Sequence, residues 1–292
     1  MSIRTSLVSA VNAGLLKLGL QINRVKQPYD LGTYADSYAA ELLQAKPFYN
    51  VGAGSFWHPY WTNIDYVSDW YKDVQKEVLH YDLMSNDPLP IKTDSAEVIY
   101  TSHTIEHVKE DAVFRFFREA YRSLKPGGVL RVTTGPDAET DFRAMIAGDT
   151  RWFYWDDAYS APGSYEHIWR QPPNSVPIEE RWLHHVASML APNDLCESAH
   201  KFSAPEIRKI IAEKGFEGSL NYFTGLCEFM PDRVGNHISW WTHKRIMDAL
   251  EAEGFSKVYR SGHGQSVLPI LRDTDMFDST HPKMSIYVEA IK

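Results

Sequence analysis

The chain has 292 residues, 43% hydrophobic and 23% charged, with a formal net charge of -8 at pH 7. That balance excludes the disordered and fibrous classes, and the acidic surplus argues against a nucleic-acid binder that works by bulk electrostatics. The length can bury one large core with an insertion, or two cores.

Two cysteines, Cys196 and Cys227, form no CxxC pair, so they read as reduced thiols of a cytoplasmic protein. No uninterrupted run of about eighteen apolar residues occurs, so no membrane-spanning segment is expected. Leu7, Val11, Leu15 and Leu18 recur at helical spacing, and every charge before Pro28 is basic: Arg4, Lys17, Arg24 and Lys26. Residues 1–28 are therefore expected to form a basic amphipathic helix. Such a helix can dock on the main domain, mediate an oligomer, or lie peripherally on an anionic membrane at its inner face.

A short apolar run through Phe48, Tyr49 and Val51 ends in the turn Asn50-Val51-Gly52-Ala53-Gly54-Ser55. A buried strand that ends in two closely spaced glycines delivers a ligand to the C-terminal edge of an open α/β sheet. A second strand is predicted from Trp61 to Tyr66, with Asp65 near its end. Further strands are predicted over Glu77 to Asp82, Ala96 to Ser102, and Val129 to Thr134. Between the last two, Val113, Phe116, Phe117, Ala120, Tyr121 and Leu124 make one apolar helical stripe, stopped by Lys125-Pro126-Gly127-Gly128. Strands joined in this way predict a doubly wound α/β fold with right-handed crossovers.

From Asp137 to about Gly235 the rhythm breaks. Trp152, Phe153, Tyr154, Trp155, Tyr159, Tyr165, Trp169 and Trp182 crowd together among prolines. The segment 137–235 reads as a mainly helical cap inserted after the fifth strand. One helix carries the stripe Ile178, Trp182, His185, Val186 and Met189. Another starts at Ser203 with Glu206 three residues on, a capping box, and stops at Gly215. Ser203 to Gly215-Phe216 and Thr242 to Gly254-Phe255 share a cap, a spacing and a Gly-Phe exit expected to lead into a strand. The second exit feeds Ser256 to Ser261, followed by a long loop and Met284 to Ala290, an antiparallel closing pair. The core is thus 29–136 with 236–292.

The ordered set Asn50-Val51-Gly52-Ala53-Gly54, Asp65, Asp82-Leu83, Leu89-Pro90, Val98 to Val108 and Glu119 to Leu130 resembles the class I S-adenosylmethionine-dependent methyltransferases, in particular their type 11 group. The resemblance covers residues 48 to 137 and, less fully, the C-terminal hairpin. It does not cover the cap. It implies a Rossmann-like seven-stranded sheet and S-adenosyl-L-methionine as cofactor. The family pattern assigns Asn50, Gly52, Ala53 and Gly54 to the methionine portion, Asp65 to the ribose diol, Asp82 and Leu83 to adenine, and Ser102 to the end of the fourth strand.

Two features depart from that pattern. The usual acidic residue of the first motif is Asn50, and only about ten residues separate Gly54 from Asp65, so the first crossover helix must be short or missing. A shortened crossover is similar to that of methyltransferases of bacterial surface-polysaccharide biosynthesis. Phe56, in place of a third glycine, counts against a dinucleotide.

Methyl transfer to a hydroxyl requires alignment and removal of a proton. His103, at the ligand edge, is the first candidate base, and Asp137 is a second candidate base or acceptor anchor. Glu106 and His107 are expected to fix the loop. His167, His184 and His185 in the cap are alternatives, with burial expected for His185. No spacing signals a metal ligand set. The expected activity is methylation of a small-molecule or glycan acceptor, a sugar hydroxyl first. The alternatives are another N- or O-methylation and a non-catalytic scaffold of the same fold.

Overall fold

The computed structural model describes residues 29–67, 77–197 and 199–292. The basic helix expected in 1–28 lies outside the described residues. Two short helices, α1 (Leu31–Ser37) and α2 (Ala40–Gln44), lead into β1 (Phe48–Val51) and β2 (Trp61–Asp65). Then come β3 (Val78–His80), β4 (Ala96–Ser102), α3 (Glu110–Ser123) and β5 (Leu124–Thr134). After β5 the chain forms α4 (Ala138–Ile146), α5 (Tyr154–Ala158), α6 (Ile178–Val186) and α7 (Ala204–Leu226). It returns through α8 (His243–Ala252) to β6 (Lys257–Arg260) and β7 (Ile286–Ile291).

The seven strands form one sheet in the order β3-β2-β1-β4-β5-β7-β6. β1 to β5 pair in parallel, and β7 runs antiparallel between β5 and β6. The closing antiparallel pair is as the sequence predicts.

Each face of the sheet has its own core. Val113, Phe116, Phe117 and Ala120 of α3 join Ile246 and Leu250 of α8 against Ile99, Leu130 and Val288. Leu124 is the first residue of β5 rather than the last of the helical stripe, so that strand starts earlier than expected. The join from β1 to β2 contains no helix. Gly52 N donates to Ile64 O at 2.9 Å, and the chain turns directly into β2.

Aromatic side chains cover the sheet where a crossover helix would lie. Tyr34 of α1 packs edge-on against Phe48, Trp61 packs against Phe277, and Trp61 Nε1 donates to Tyr34 Oη at 2.5 Å. The loop between β6 and β7 supplies Phe277, Ile270 and Leu271 to this second core.

That loop is pinned across the sheet by Arg131 of β5, which is wholly buried. Its guanidinium donates to Asp278 Oδ1 at 3.1 Å and to Glu289 Oε1 at 2.8 Å, and also to the carbonyls of Gly262 and Gln265. Glu289 is its cross-strand partner on β7.

The segment between β5 and α8 builds a third core from Phe153, Trp182, Leu183, Val186, Leu220, Phe223 and Trp240. The capping box at Ser203 and Glu206 forms as expected. Gly215 interrupts its helix at φ +69°, but Phe216 then starts a second helical stretch to Leu226 rather than a strand. A glycine there allows the left-handed turn, and Phe216 packs on Phe142 and Trp240 instead of joining a sheet. Among the described residues no helix is long and apolar enough to cross a membrane.

Candidate functional site

A cavity of about 960 Å³ opens along the C-terminal ends of β1, β2 and β4, where open α/β sheets bind ligands. Volumes near the top of the usual range of roughly 300–1,000 Å³ leave room for two ligands. Asn50, Gly52, Ala53, Gly54, Asp65, Asp82, Leu83, Ser102 and His103 all line it. Asp137 is not in the lining. Its carboxylate caps α4, accepting from Glu139 N at 3.2 Å and Thr140 Oγ1 at 3.0 Å, and it faces His243.

The two glycines of the turn have different physical reasons. Gly52 sits at φ +73°, and a Cβ there would stand 2.1 Å from Thr104 Oγ1. The backbone at Gly52 passes close to Thr104, and Gly52 also lines the cavity. Gly54, at φ +53°, would direct a Cβ into open space on the cavity wall. Asp65 ties the turn to β2, since its Oδ2 accepts from Gly54 N at 2.7 Å and its Oδ1 from Tyr66 N at 2.7 Å. Asp82, just past β3, accepts from Met84 N at 2.8 Å, which holds Leu83 in the wall.

These residues fit the expected cofactor. Two carboxylates and an apolar side chain stand in chain order beside a backbone turn whose second glycine leaves the wall open. Asn50 departs from the acidic pattern: it is buried, and its Oδ1 has no hydrogen-bond partner. A neutral amide costs less to bury there than a carboxylate.

His103 follows β4 in a left-handed conformation, φ +48°, unusual for a side chain with a Cβ. Its Nδ1 lies 3.0 Å from Glu106 Oε1, and its Nε2 is 2.8 Å from Ser285 Oγ. Glu106 is buried, and Thr134 Oγ1 donates to its Oε2 at 2.7 Å. Burial alone would raise the Glu106 carboxyl. The hydrogen bond and charge of His103, with smaller effects of His107 and His237, outweigh it and hold the group at about 2. Glu106 sits in the 3-10 turn Ile105–His107, as a loop-fixing residue would, and also faces His103. Ser285 carries no local motif, and only the register of β7 beside β5 brings it to His103.

The opposite wall comes from the 137–235 segment and the β6–β7 loop. Tyr159 and Trp169 pack with ring centroids 5.7 Å apart, and Trp169 Nε1 donates to His184 Nε2 at 2.8 Å. Arg233 Nη2 donates to Asp194 Oδ1 at 3.1 Å, while Arg233 Nε is buried without a partner. All five side chains line the cavity, as does His167. His185 is buried, as the stripe predicts, between Asp141 (2.6 Å) and Asp156 (3.6 Å).

A family model described as a methyltransferase domain matches residues 58–132. The match begins after the glycine turn and includes Asp65, Asp82, Leu83, His103 and the Lys-Pro-Gly-Gly run. No curated protein matches the chain. Similar solved structures include an S-adenosylmethionine-dependent methyltransferase from Mesorhizobium loti, 16% identical with TM-score 0.36, covering 84% of this chain and 90% of that one. Another, from Thermotoga maritima, is described as a possible histamine N-methyltransferase. It is 14% identical with TM-score 0.35, covering 84% of this chain and 81% of that one. A third, from Archaeoglobus fulgidus, is 10% identical with TM-score 0.38, covering 90% and 98%. Likenesses of this size carry no acceptor chemistry across. The matched domain runs from before β2 into β5 and includes Asp65, Asp82, Leu83 and His103.

Proposed function

We propose that this chain, a class I S-adenosylmethionine-dependent methyltransferase, methylates a hydroxyl of a sugar or glycan, with His103 as the general base. The observation that carries the reading is His103, paired with Glu106 and held in a left-handed backbone conformation on the cavity wall. Strain of this kind persists where surrounding structure holds it, and it concentrates at functional sites.

When bound, S-adenosylmethionine supplies an electrophilic methyl group on a positively charged sulfur. Asp65 would hold the ribose hydroxyls, with Asp82 and Leu83 at the adenine and the Gly52–Gly54 turn along the methionine portion. His103 takes the proton from the acceptor hydroxyl on Nε2, which requires it to exchange its present contact with Ser285 Oγ for the acceptor. Glu106 stays ionised and stabilises the imidazolium that results.

The cap wall favours a sugar. Tyr159 and Trp169 line it beside the polar side chains His167, His184 and Arg233, a mixed aromatic and polar wall that suits a sugar. The segment 137–235 acts as the lid of the acceptor site.

The test is release of S-adenosylhomocysteine in the presence of a panel of sugars and sugar nucleotides. Acceptor-dependent release from a sugar supports the reading. Release only with amines, or with none of the panel, overturns it.

A further inference from the structure

The geometry points to a binding site for a first-row divalent transition metal, of the Zn²⁺ or Mn²⁺ kind, held by Glu106, His107 and His237 at the seam between sheet and cap. One ligand atom from each of the three lies within 4.8 Å of the others. Two histidines and one carboxylate form a mixed nitrogen and oxygen set that such ions take, leaving positions open for water or a ligand oxygen.

Both imidazoles are prepared for this role. His107 Nδ1 lies 3.2 Å from Asn236 O, and His237 Nδ1 is hydrogen-bonded to His185 O at 2.5 Å. A ring that donates Nδ1–H to a main-chain carbonyl presents the lone pair of Nε2, the arrangement that orients metal-bound histidines. Glu106 has capacity to spare. Two of its roughly four lone-pair sites face His103 and Thr134, which leaves acceptor capacity for a cation.

The scaffold is rigid. Glu106 and His107 share one short 3-10 turn, Ile105–His107. His237 is carried to that turn by main-chain bonds from Ile238 N and Ser239 N to Glu106 O, at 2.9 and 3.2 Å. His237 N is fixed from the other side by Ser188 Oγ at 3.1 Å. His107 and His237 line the cavity, so open positions on the ion face the acceptor space.

The experiment is a titration of the full chain, dialysed against chelator, with Zn²⁺ by calorimetry and with Co²⁺ by visible absorption. Wild-type protein and the His107→Ala, His237→Ala and surface His263→Ala variants are compared. One equivalent is expected to bind wild type and His263→Ala alike, with ligand-field bands in the Co²⁺ form and at least tenfold loss in either of the other variants. No stoichiometric binding to wild type at millimolar metal overturns the site, as does a smaller loss in both variants. Should a variant fail to fold, the wild-type stoichiometry and Co²⁺ spectrum decide alone. Titration with S-adenosylhomocysteine is a separate readout, so this site can fail while the methyltransferase reading stands.

Discussion

Glu106 Oε1 lies 3.0 Å from His103 Nδ1, behind the ring and away from the nitrogen that meets Ser285. As the proposed base, His103 would be oriented by this carboxylate on one nitrogen and take a proton on the other. His103→Ala should therefore lower turnover by about 10²–10⁴-fold, the range of a lost general base, while S-adenosylhomocysteine affinity changes less than about threefold. Single-turnover methylation beside calorimetric titration reads the two effects apart. Equal loss in both would make His103 a wall of the cofactor site instead.

Gly52 and Gly54 should separate stability from binding. Gly52→Ala places a methyl 2.1 Å from Thr104 Oγ1 at φ +73°, so it should lower the melting temperature sharply. Gly54→Ala meets nothing within 4 Å and carries only the left-handed penalty of about 1–2 kcal/mol, so its chief effect should be weaker cofactor binding. Thermal melts with and without S-adenosylhomocysteine distinguish them, and a reversed order would contradict the reading of the turn.

Arg131 is paired with Asp278 and Glu289, all three buried. Arg131→Met strands two buried carboxylates and should destabilise the fold by about 3–5 kcal/mol in urea unfolding. A cost under about 1 kcal/mol would show that the β6–β7 loop is held by its aromatic contacts alone.

The cap should weaken toward alkaline pH. Burial lowers the His185 imidazole, but the Asp141 charge and hydrogen bond, with Asp156, outweigh it and raise the group above its ordinary value. A raised folded value gives stability that is complete below the unfolded value, about 6.5, and is lost as pH rises through the folded one. Asp156 has the opposite sign. Burial raises it, but His185 and Arg181 hold it below its ordinary value. Its contribution is complete above about 3.9 and fades as pH falls. Protection from hydrogen exchange in α6, relative to the intrinsic rate at each pH, should therefore fall above neutrality in wild type and lose that dependence in His185→Gln. An unchanged pH profile in the variant would rule out His185 as the titrating group.

The sheet was legible because its signals are local: apolar runs, a glycine turn and one amphipathic helical stripe, although that helix ends at Ser123 and Lys125 to Gly128 belong to β5 and not to a helix cap. The missing crossover helix was legible as well, from the short spacing between Gly54 and Asp65. What fills its place was not, since Tyr34 and Phe277 reach Trp61 from far away in sequence. Gly215 misled because a left-handed glycine reads as a helix stop, although the chain can restart a helix at once. Asp137 drew notice by its position after β5, yet that position is also a helix N-cap. Ser285 and His237 escaped because tertiary register alone brings them to His103 and Glu106.

The most direct test of the account is calorimetric titration of S-adenosylhomocysteine into wild type and Asp65→Ala. The account predicts micromolar binding to wild type, worth about 8 kcal/mol, and at least tenfold weaker binding to the variant. Absence of wild-type binding at millimolar ligand, or equal affinity in the two proteins, would contradict it.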